Sequence, residues 1–284
     1  MSHDKKYKII KVFNNNVILA EDIAAKQELI IIGKGIGYAK KQGAVVKMAS
    51  SDIEKTFTAY DSDIKKEFHT LINQLDGDVM GASEEIIAAA EKKFGRLNAH
   101  IHIALTDHIG FAIERLKTNM DINNPFLNEI KLLYAEEYQI GIKGAEMIEE
   151  KLKITLPDSE IGFIALHIHA ARQNRSVSDT VRSTSLISEL VKLIEDELHI
   201  KLERTELSYL RLINHLRFAI ERIQKGKTEK KLFLDKIRNE LNESYRLAER
   251  VGKRIEKSLD VEIDENEISY ITIHIQRLKN MYSN

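Results

Sequence analysis

The sequence predicts a multidomain protein with a small all-β N-terminal domain followed by two tandem all-α helical bundles. Strand-like runs open the chain, an internal repeat fills the rest, and the composition favours helix after the first segment. The 284 residues include two prolines and no cysteine, and 43% are hydrophobic and 31% charged. Such values are typical of a globular protein, and the lack of cysteine excludes disulfides, thiolate zinc sites and cysteine nucleophiles.

The repeat is clearest in a segment that reads TDHIGFAIER, Thr106–Arg115. It recurs in the second half of the chain as INHLRFAIER, Ile213–Arg222. A second pair of segments, Glu160–Ile168 and Glu267–Ile275, is separated by the same offset in sequence. Each copy therefore holds two histidines at equivalent places: His108, His167, His215 and His274.

Retention of these four histidines favours a function over a structural role. The chain has ten histidines, and the other six do not recur at the offset. For example, His100 aligns with Leu207 and His102 with Tyr209. A single histidine on an apolar helix face is most often a hydrogen-bonded core residue. Recurrence of both positions in both copies, while their neighbours change, makes that interpretation less favourable here.

The N-terminal segment is basic. Residues 1–60 contain ten lysines and six carboxylates, although the whole chain has a net charge of −1. This excess indicates a polyanionic partner for the first domain. No apolar run is long enough to cross a membrane, and no basic segment precedes an apolar one at the start, so we expect a cytoplasmic protein without membrane insertion.

Strand patterns occupy most of the basic segment. Tyr7–Phe13, Val17–Ile23, Glu28–Ile32 and Ile53–Phe57 are β-rich, and Asn14–Asn16 suits the turn between the first two. A domain of about 55 residues has a marginal core, so we expect it to dimerise and bury its apolar faces.

Three glycines, Gly33, Gly35 and Gly37, alternate after the third strand. This spacing suits a loop or a distorted strand that a partner backbone can approach closely. The loop does not match a phosphate-binding P-loop, because Gly43 is not followed by Lys-Ser/Thr and no helix pattern begins there.

Helical patterns fill the remainder. The first repeat opens at Ser83, a predicted N-cap, and another helix starts at Pro157-Asp158. The predicted boundaries are a β domain at 1–60, a charged connector at 61–78, the repeats at 79–171 and 185–284, and a polar linker at 172–184.

These combined features resemble the transcriptional antiterminators of the BglG/SacY type. The resemblance rests on the basic β head with its Asn14–Asn16 turn and Gly33-Lys34-Gly35, and on the repeats with Thr106-Asp107-His108 and Ala165–Ile168. It covers the whole chain and is closest to the glucose-type branch. It implies a small RNA-binding domain followed by two phosphotransferase-system regulation domains (PRDs).

The resemblance also implies a switch. The protein would bind a hairpin in nascent leader RNA as a homodimer and prevent a terminator hairpin from forming. His108 and His167 would accept phosphoryl groups from the glucose-type sugar permease, and His215 and His274 from the carrier protein HPr. Imidazole can accept a phosphoryl group, and the new charge can shift a bistable packing. The second copy departs from the family pattern at one position, because Asn214 precedes its first histidine where Asp107 stands in the first copy.

RNA contacts carried over from the family fall in the asparagine turn and the glycine loop. Asn16 would bond to base edges, Lys34 would contact a phosphate or guanine, and Tyr38 would stack on a base. Lys11 and Gly33 would lie nearby.

Two other function classes remain open from the residues alone. An enzyme would need a nucleophile or a carboxylate cluster; neither is evident, and the His100-x-His102 and His167-x-His169 pairs lack further metal ligands. We therefore expect no catalytic site, metal or cofactor. A PRD-containing DNA-binding regulator would need a helix-turn-helix head, whereas residues 7–57 alternate like strands.

Overall fold

The computed structural model describes residues 5–58, 62–224, 226 and 234–282. Five strands come first: β1 Lys5–Val12, β2 Val17–Asp22, β3 Gln27–Ile32, β4 Val45–Met48 and β5 Lys55–Phe57. The first six helices are α1 Ser62–Gln74, α2 Gly77–Phe94, α3 Ile101–Lys117, α4 Leu127–Leu133, α5 Ala135–Leu152 and α6 Asp158–Arg172. The other five are α7 Val177–Leu198, α8 Leu207–Gln224, α9 Leu234–Glu240, α10 Asn242–Leu259 and α11 Glu265–Tyr282. The predicted succession of an all-β domain and helical modules is confirmed.

The strands form one antiparallel sheet in the order β4-β1-β2-β3-β5. The predicted turn closes the β1–β2 hairpin, because the Asn14 side-chain oxygen accepts hydrogen bonds from the backbone N–H groups of Asn16 and Val17 at 2.8 and 2.9 Å. Strand β4 has no counterpart in the sequence prediction. A DNA-binding head was expected to be helical, so this sheet argues against that alternative.

One face of the sheet belongs to the core of the β domain itself. The other face presents Phe13, Val17, Leu19, Ile30 and Ile32. Three helices of the same chain cover this second face, with Phe68, Leu71 and Ile72 from α1, Met80 from α2 and Ile103 from α3. The apolar face that was expected to require a second copy is thus covered within one chain, and dimerisation stays a prediction.

The helical modules repeat as the sequence predicts. Helices α4, α5 and α6 correspond to α9, α10 and α11, and each pair of starting residues is separated by the same offset as the histidines. Helix α3 corresponds in the same way to α8, with a shift of one residue at its start. Within each module the last two helices pack together. Helix α3 packs against α6 in the first module, and α8 packs against α11 in the second.

Two helix starts differ from the sequence prediction. Ser83 is not an N-cap: it lies inside α2, buried, with its hydroxyl bonded to the Val79 carbonyl at 2.9 Å. The cap of α2 is Asp76, whose side chain accepts a hydrogen bond from the Asp78 N–H at 2.8 Å. Helix α7 begins at Val177, within the segment predicted as a polar linker. The start of α6 at Asp158, after Pro157, is confirmed.

The described residues fall into two compact units, one within Met1–Leu127 and Tyr134–Val177 and one within Asn128–Leu133 and Ser178–Asn284. Most of α4 thus belongs to the second unit, where the Tyr209 hydroxyl donates to the buried Glu129 carboxylate at 2.7 Å. Over the described ranges, no helix has the length and apolar character needed to span a membrane.

Candidate functional site

Helices α3 and α6 bring the first pair of repeated histidines together. The ring centroids of His108 and His167 are 4.8 Å apart, and the ring planes are inclined by 30°. Phe163, one turn before His167, meets the His108 ring edge-on at 5.6 Å. Two histidines that are far apart in sequence therefore form one imidazole pair.

A buried glutamate adjoins this first pair. The Nε2 atom of His108 lies 3.2 Å from Oε2 of Glu160, an ion-pair contact without the alignment of a hydrogen bond. Arg115 donates to the other oxygen of Glu160 at 2.8 Å. Burial favours a higher pKa for Glu160, but the contacts with His108 and Arg115 outweigh it and hold that pKa below the ordinary value. The carboxylate is therefore ionised beside the histidine.

His167 is the more enclosed member of the pair. Its Nδ1 atom is buried without a hydrogen-bond partner among the described residues. Burial, helped by the charge of His108, lowers the pKa of His167 to about 3. Its imidazole is therefore neutral near pH 7, which is the nucleophilic form.

The second pair is closer. The rings of His215 and His274 stack with centroids 3.4 Å apart and planes inclined by only 19°. His215 Nδ1 is 2.8 Å from the Tyr270 hydroxyl, a partner that Phe163 cannot supply in the first pair. Burial, the neighbouring His215 and nearby arginines lower the pKa of His274 to about 4.

The second glutamate is held differently from the first. Glu267 accepts two hydrogen bonds from Arg222, both at 2.7 Å, in a bidentate arrangement. Glu160 and Arg115 occupy the equivalent positions of the first repeat. These residues lie within the repeated segments but were not predicted as site residues. Their recurrence at the same offset as the histidines was the signal that could have identified them.

Two of the histidines that do not repeat, His102 and His169, are held by buried glutamates. His102 Nδ1 lies 2.8 Å from the buried Glu84, and His169 Nδ1 lies 2.9 Å from Glu137 while its ring packs on Tyr134. Within the described part of the chain, no group of three or more histidine and carboxylate side chains could hold a metal ion. The two His-x-His segments thus place their second members in ion pairs with glutamates.

The structure brings four of the five predicted RNA-binding residues into adjoining loops. The Asn16 side-chain oxygen accepts from the Gly35 N–H at 3.0 Å, and the Asn16 carbonyl accepts from the Gly33 N–H at 3.0 Å. Lys34 is exposed, and Tyr38 is 70% exposed. A side chain at position 33 would clash with the Asp52 carbonyl oxygen, so only glycine fits there.

Lys11, the fifth of these residues, has an internal partner. Its ammonium donates to the Ile72 carbonyl at 2.5 Å, at the end of α1. A contact between the asparagine turn and α2 was not predicted from the sequence. Asn14 donates to Glu85 at 3.1 Å, and Glu85 pairs in turn with Lys151.

Known protein families and individual proteins match most of this chain. The CAT RNA binding domain family matches residues 7–66, and the PRD domain family matches residues 84–171 and 188–278. The PtsGHI operon antiterminator of Bacillus subtilis is 41% identical, covering 98% of this chain and 99% of its own length. The transcription antiterminator LicT of the same organism is 35% identical, covering 95% and 98%.

Two further similarities are the GlcA/glcB genes antiterminator and one solved structure. The former, from Staphylococcus carnosus, is 35% identical and covers 95% of this chain and 94% of its own length. The crystal structure of GlcT CAT-PRDI is 44% identical, with a TM-score of 0.49, and covers 60% of this chain and 99% of that chain.

Proposed function

This chain belongs to the family of transcription antiterminators that join a CAT RNA-binding domain to two PRD domains, and we propose that it regulates glucose phosphotransferase genes by binding leader RNA. It is a regulatory protein of transcription under phosphotransferase-system control. Its N-terminal domain binds a hairpin that competes with a terminator, so that the polymerase continues. The protein acts in the cytoplasm as a homodimer and catalyses no reaction of its own.

The RNA is contacted through the asparagine turn and the glycine loop. Asn16 and Gly33 shape this surface, and the exposed Lys34 and Tyr38 project from it. An exposed aromatic ring and an exposed cationic side chain on one loop suit an unpaired base and its phosphate. Lys11 contributes after its bond to Ile72 is exchanged for a bond to RNA.

Phosphorylation controls the switch at the four repeated histidines, His108, His167, His215 and His274. The observation that supports this proposal is that one arrangement, an imidazole pair beside an Arg–Glu pair, occurs at equivalent positions of both repeats. When the donor is a phosphohistidine, its P–N bond breaks and a P–N bond to the acceptor imidazole forms. Donor and acceptor are then the same chemical group, so the exchange is nearly isoenergetic and its direction can follow sugar supply.

The donors differ between the repeats. The glucose-type permease phosphorylates His108 and His167 when little sugar is transported, and this silences the protein. HPr phosphorylates His215 and His274 and tunes the response. A phosphoryl group beside the ionised Glu160 adds charge of about −2 to a site that already holds a carboxylate, which favours repacking of the first module.

Incubation of the full chain with each phosphorylated donor, followed by phosphopeptide mapping, tests this proposal. We expect permease-dependent label on His108 or His167 and HPr-dependent label on His215 or His274. The six histidines that do not repeat serve as internal controls. Label confined to those six, or none with either donor, would overturn the proposal.

A further inference from the structure

Two arginines flank the second histidine pair. Arg211 lies one turn before His215 on α8, and Arg277 lies three residues after His274 on α11. Spacings of four and three residues place each arginine on the helix face of its histidine. Both arginines and both histidines line one shallow cleft. Two cationic groups from different helices therefore meet at the imidazole pair.

The charge of these arginines is not neutralised by the described residues. Both side chains are exposed, and no carboxylate oxygen of a described residue lies within 4.0 Å of either guanidinium. Burial and the charges of Arg277 and Arg211 lower the pKa of His215. The site therefore presents two guanidinium groups that are available to an anion.

The first repeat lacks both groups. Ala104 stands at the position equivalent to Arg211, and Ala170 at the position equivalent to Arg277. The first pair has anionic neighbours instead, because Glu160 contacts His108 and Asp107 replaces the neutral Asn214. The duplication thus places one histidine pair beside two exposed arginines and the other beside a carboxylate.

We propose that Arg211 and Arg277 form a phosphoryl-binding site that stabilises phosphohistidine in the second PRD, and that the first PRD lacks this site. The proposal rests on the proposed phosphorylation of the repeated histidines. His215 Nδ1 is bonded to Tyr270, so the phosphoryl group is carried on Nε2 of that ring. Guanidinium groups bind phosphoryl oxygens through planar, charge-assisted hydrogen bonds.

Because of this site, the two PRDs differ in how long they retain a phosphoryl group. A phosphoryl group that the protein stabilises is passed on less readily, so the second PRD keeps its label while the first gives it back to the donor. The first PRD then follows the momentary state of sugar transport, and the second PRD retains a record of the general phosphorylation level.

An equilibrium with a small phosphoryl donor measures this difference without any partner protein. The full chain is incubated with N-phosphoimidazole and excess imidazole. The P–N bond of the reagent breaks, a P–N bond to histidine forms, and imidazole leaves with the proton balance unchanged. Occupancy of each histidine is read by phosphopeptide mass spectrometry. Charge-assisted hydrogen bonds favour the second pair by about tenfold or more over the first.

Matched variants assign the difference to the arginines. Replacing both (Arg211→Ala with Arg277→Ala) is expected to lower occupancy of the second pair about tenfold, and the double lysine variant to restore part of it. Arg246→Ala, which removes an exposed arginine of α10, is the control and should have no effect. Conversely, Ala104→Arg, at a half-buried position of α3, should raise occupancy of the first pair, which keeps the test decisive if the alanine variant does not fold.

Equal occupancy of the two pairs, or occupancy unchanged in both the alanine and the Ala→Arg variants, would overturn the phosphoryl-binding site. This result is independent of RNA, permease and HPr. A different result would contradict the proposed function and leave the phosphoryl-binding site intact. In that case the occupancy of the second histidine pair depends on the arginines, but the full chain does not promote antitermination.

Discussion

The Nε2 atom of His108 lies 3.2 Å from the Oε2 atom of Glu160. In the second repeat both oxygens of the equivalent Glu267 bind Arg222, and His215 bonds to the Tyr270 hydroxyl instead. One helical module thus supports two electrostatic settings for the same pair of imidazoles. The difference depends on whether the glutamate is shared between a histidine and an arginine or held by the arginine alone.

Neutralising each glutamate tests this difference. Both Glu160→Gln and Glu267→Gln should destabilise their modules by about 1–3 kcal/mol, because a partly buried arginine loses its charged partner. Only Glu160→Gln should also change the environment of the adjacent histidine, since Glu267 is not the partner of His215. Hydrogen exchange in α3 and α8 measures the first effect and ¹⁵N shifts of the imidazoles measure the second. A His215 shift as large as that of His108 would contradict the assignment.

Acid should destabilise the helices that enclose His167. Its folded pKa of about 3 lies below the value of 6.5 for an unperturbed histidine, so the unfolded chain binds a proton that the folded chain does not. The stabilising contribution of the neutral ring is complete above about pH 6.5 and is lost as pH falls towards 3, by about 1.4 kcal/mol per pH unit. His167→Gln should remove this dependence.

Hydrogen exchange of α6 at pH 7 and pH 5.5, compared between wild type and variant at the same pH, measures this loss. His100→Gln, at an exposed position, is the control. If the acid-induced loss of protection were equal in wild type and His167→Gln, another group would be responsible.

RNA binding should depend on the exposed ring of the glycine loop. Tyr38→Ala is expected to weaken hairpin binding by about 1–3 kcal/mol, the contribution of one stacked base, without disturbing the fold. Asn16→Ala should lose a similar amount, partly through the bond that its side chain accepts from Gly35. Titrations at several salt concentrations measure both, and affinity should fall with salt through counterion release.

Val45→Ala provides the matched control for RNA binding. Val45 is 59% exposed on the same domain and lies outside both loops. Equal losses in Val45→Ala and Tyr38→Ala would mean that Tyr38 makes no specific contact.

Removal of the first histidine pair should leave antitermination active in the absence of sugar. We propose that a phosphoryl group on this pair silences the protein. His108→Ala or His167→Ala removes its acceptor, so antitermination should persist without sugar. His108→Asp should partly mimic the silent state, because it adds a permanent negative charge beside Glu160. An antitermination reporter measures these effects, with His100→Ala as the control. Normal shut-off in the double alanine variant would exclude the first PRD as the sensor.

The sequence by itself determined the architecture wherever the pattern is local or repeated. Strand alternation predicted β1 to β3, and Pro157-Asp158 predicted the start of α6. The constant offset between the repeated segments predicted the two modules and the equivalence of their histidines, because a duplicated chain keeps the same side chains in the same register. These are short-range properties that each segment carries without its partners.

Only the tertiary structure decided what surrounds each site. The covering of the sheet by Phe68 and Met80 and the choice of Glu160 as the neighbour of His108 depend on packing between segments that are far apart in sequence. Periodicity shows which face of a helix is apolar, but not which element will cover it. The proximity of Arg211 and Arg277 is of the same kind, since it exists only when α8 and α11 lie side by side.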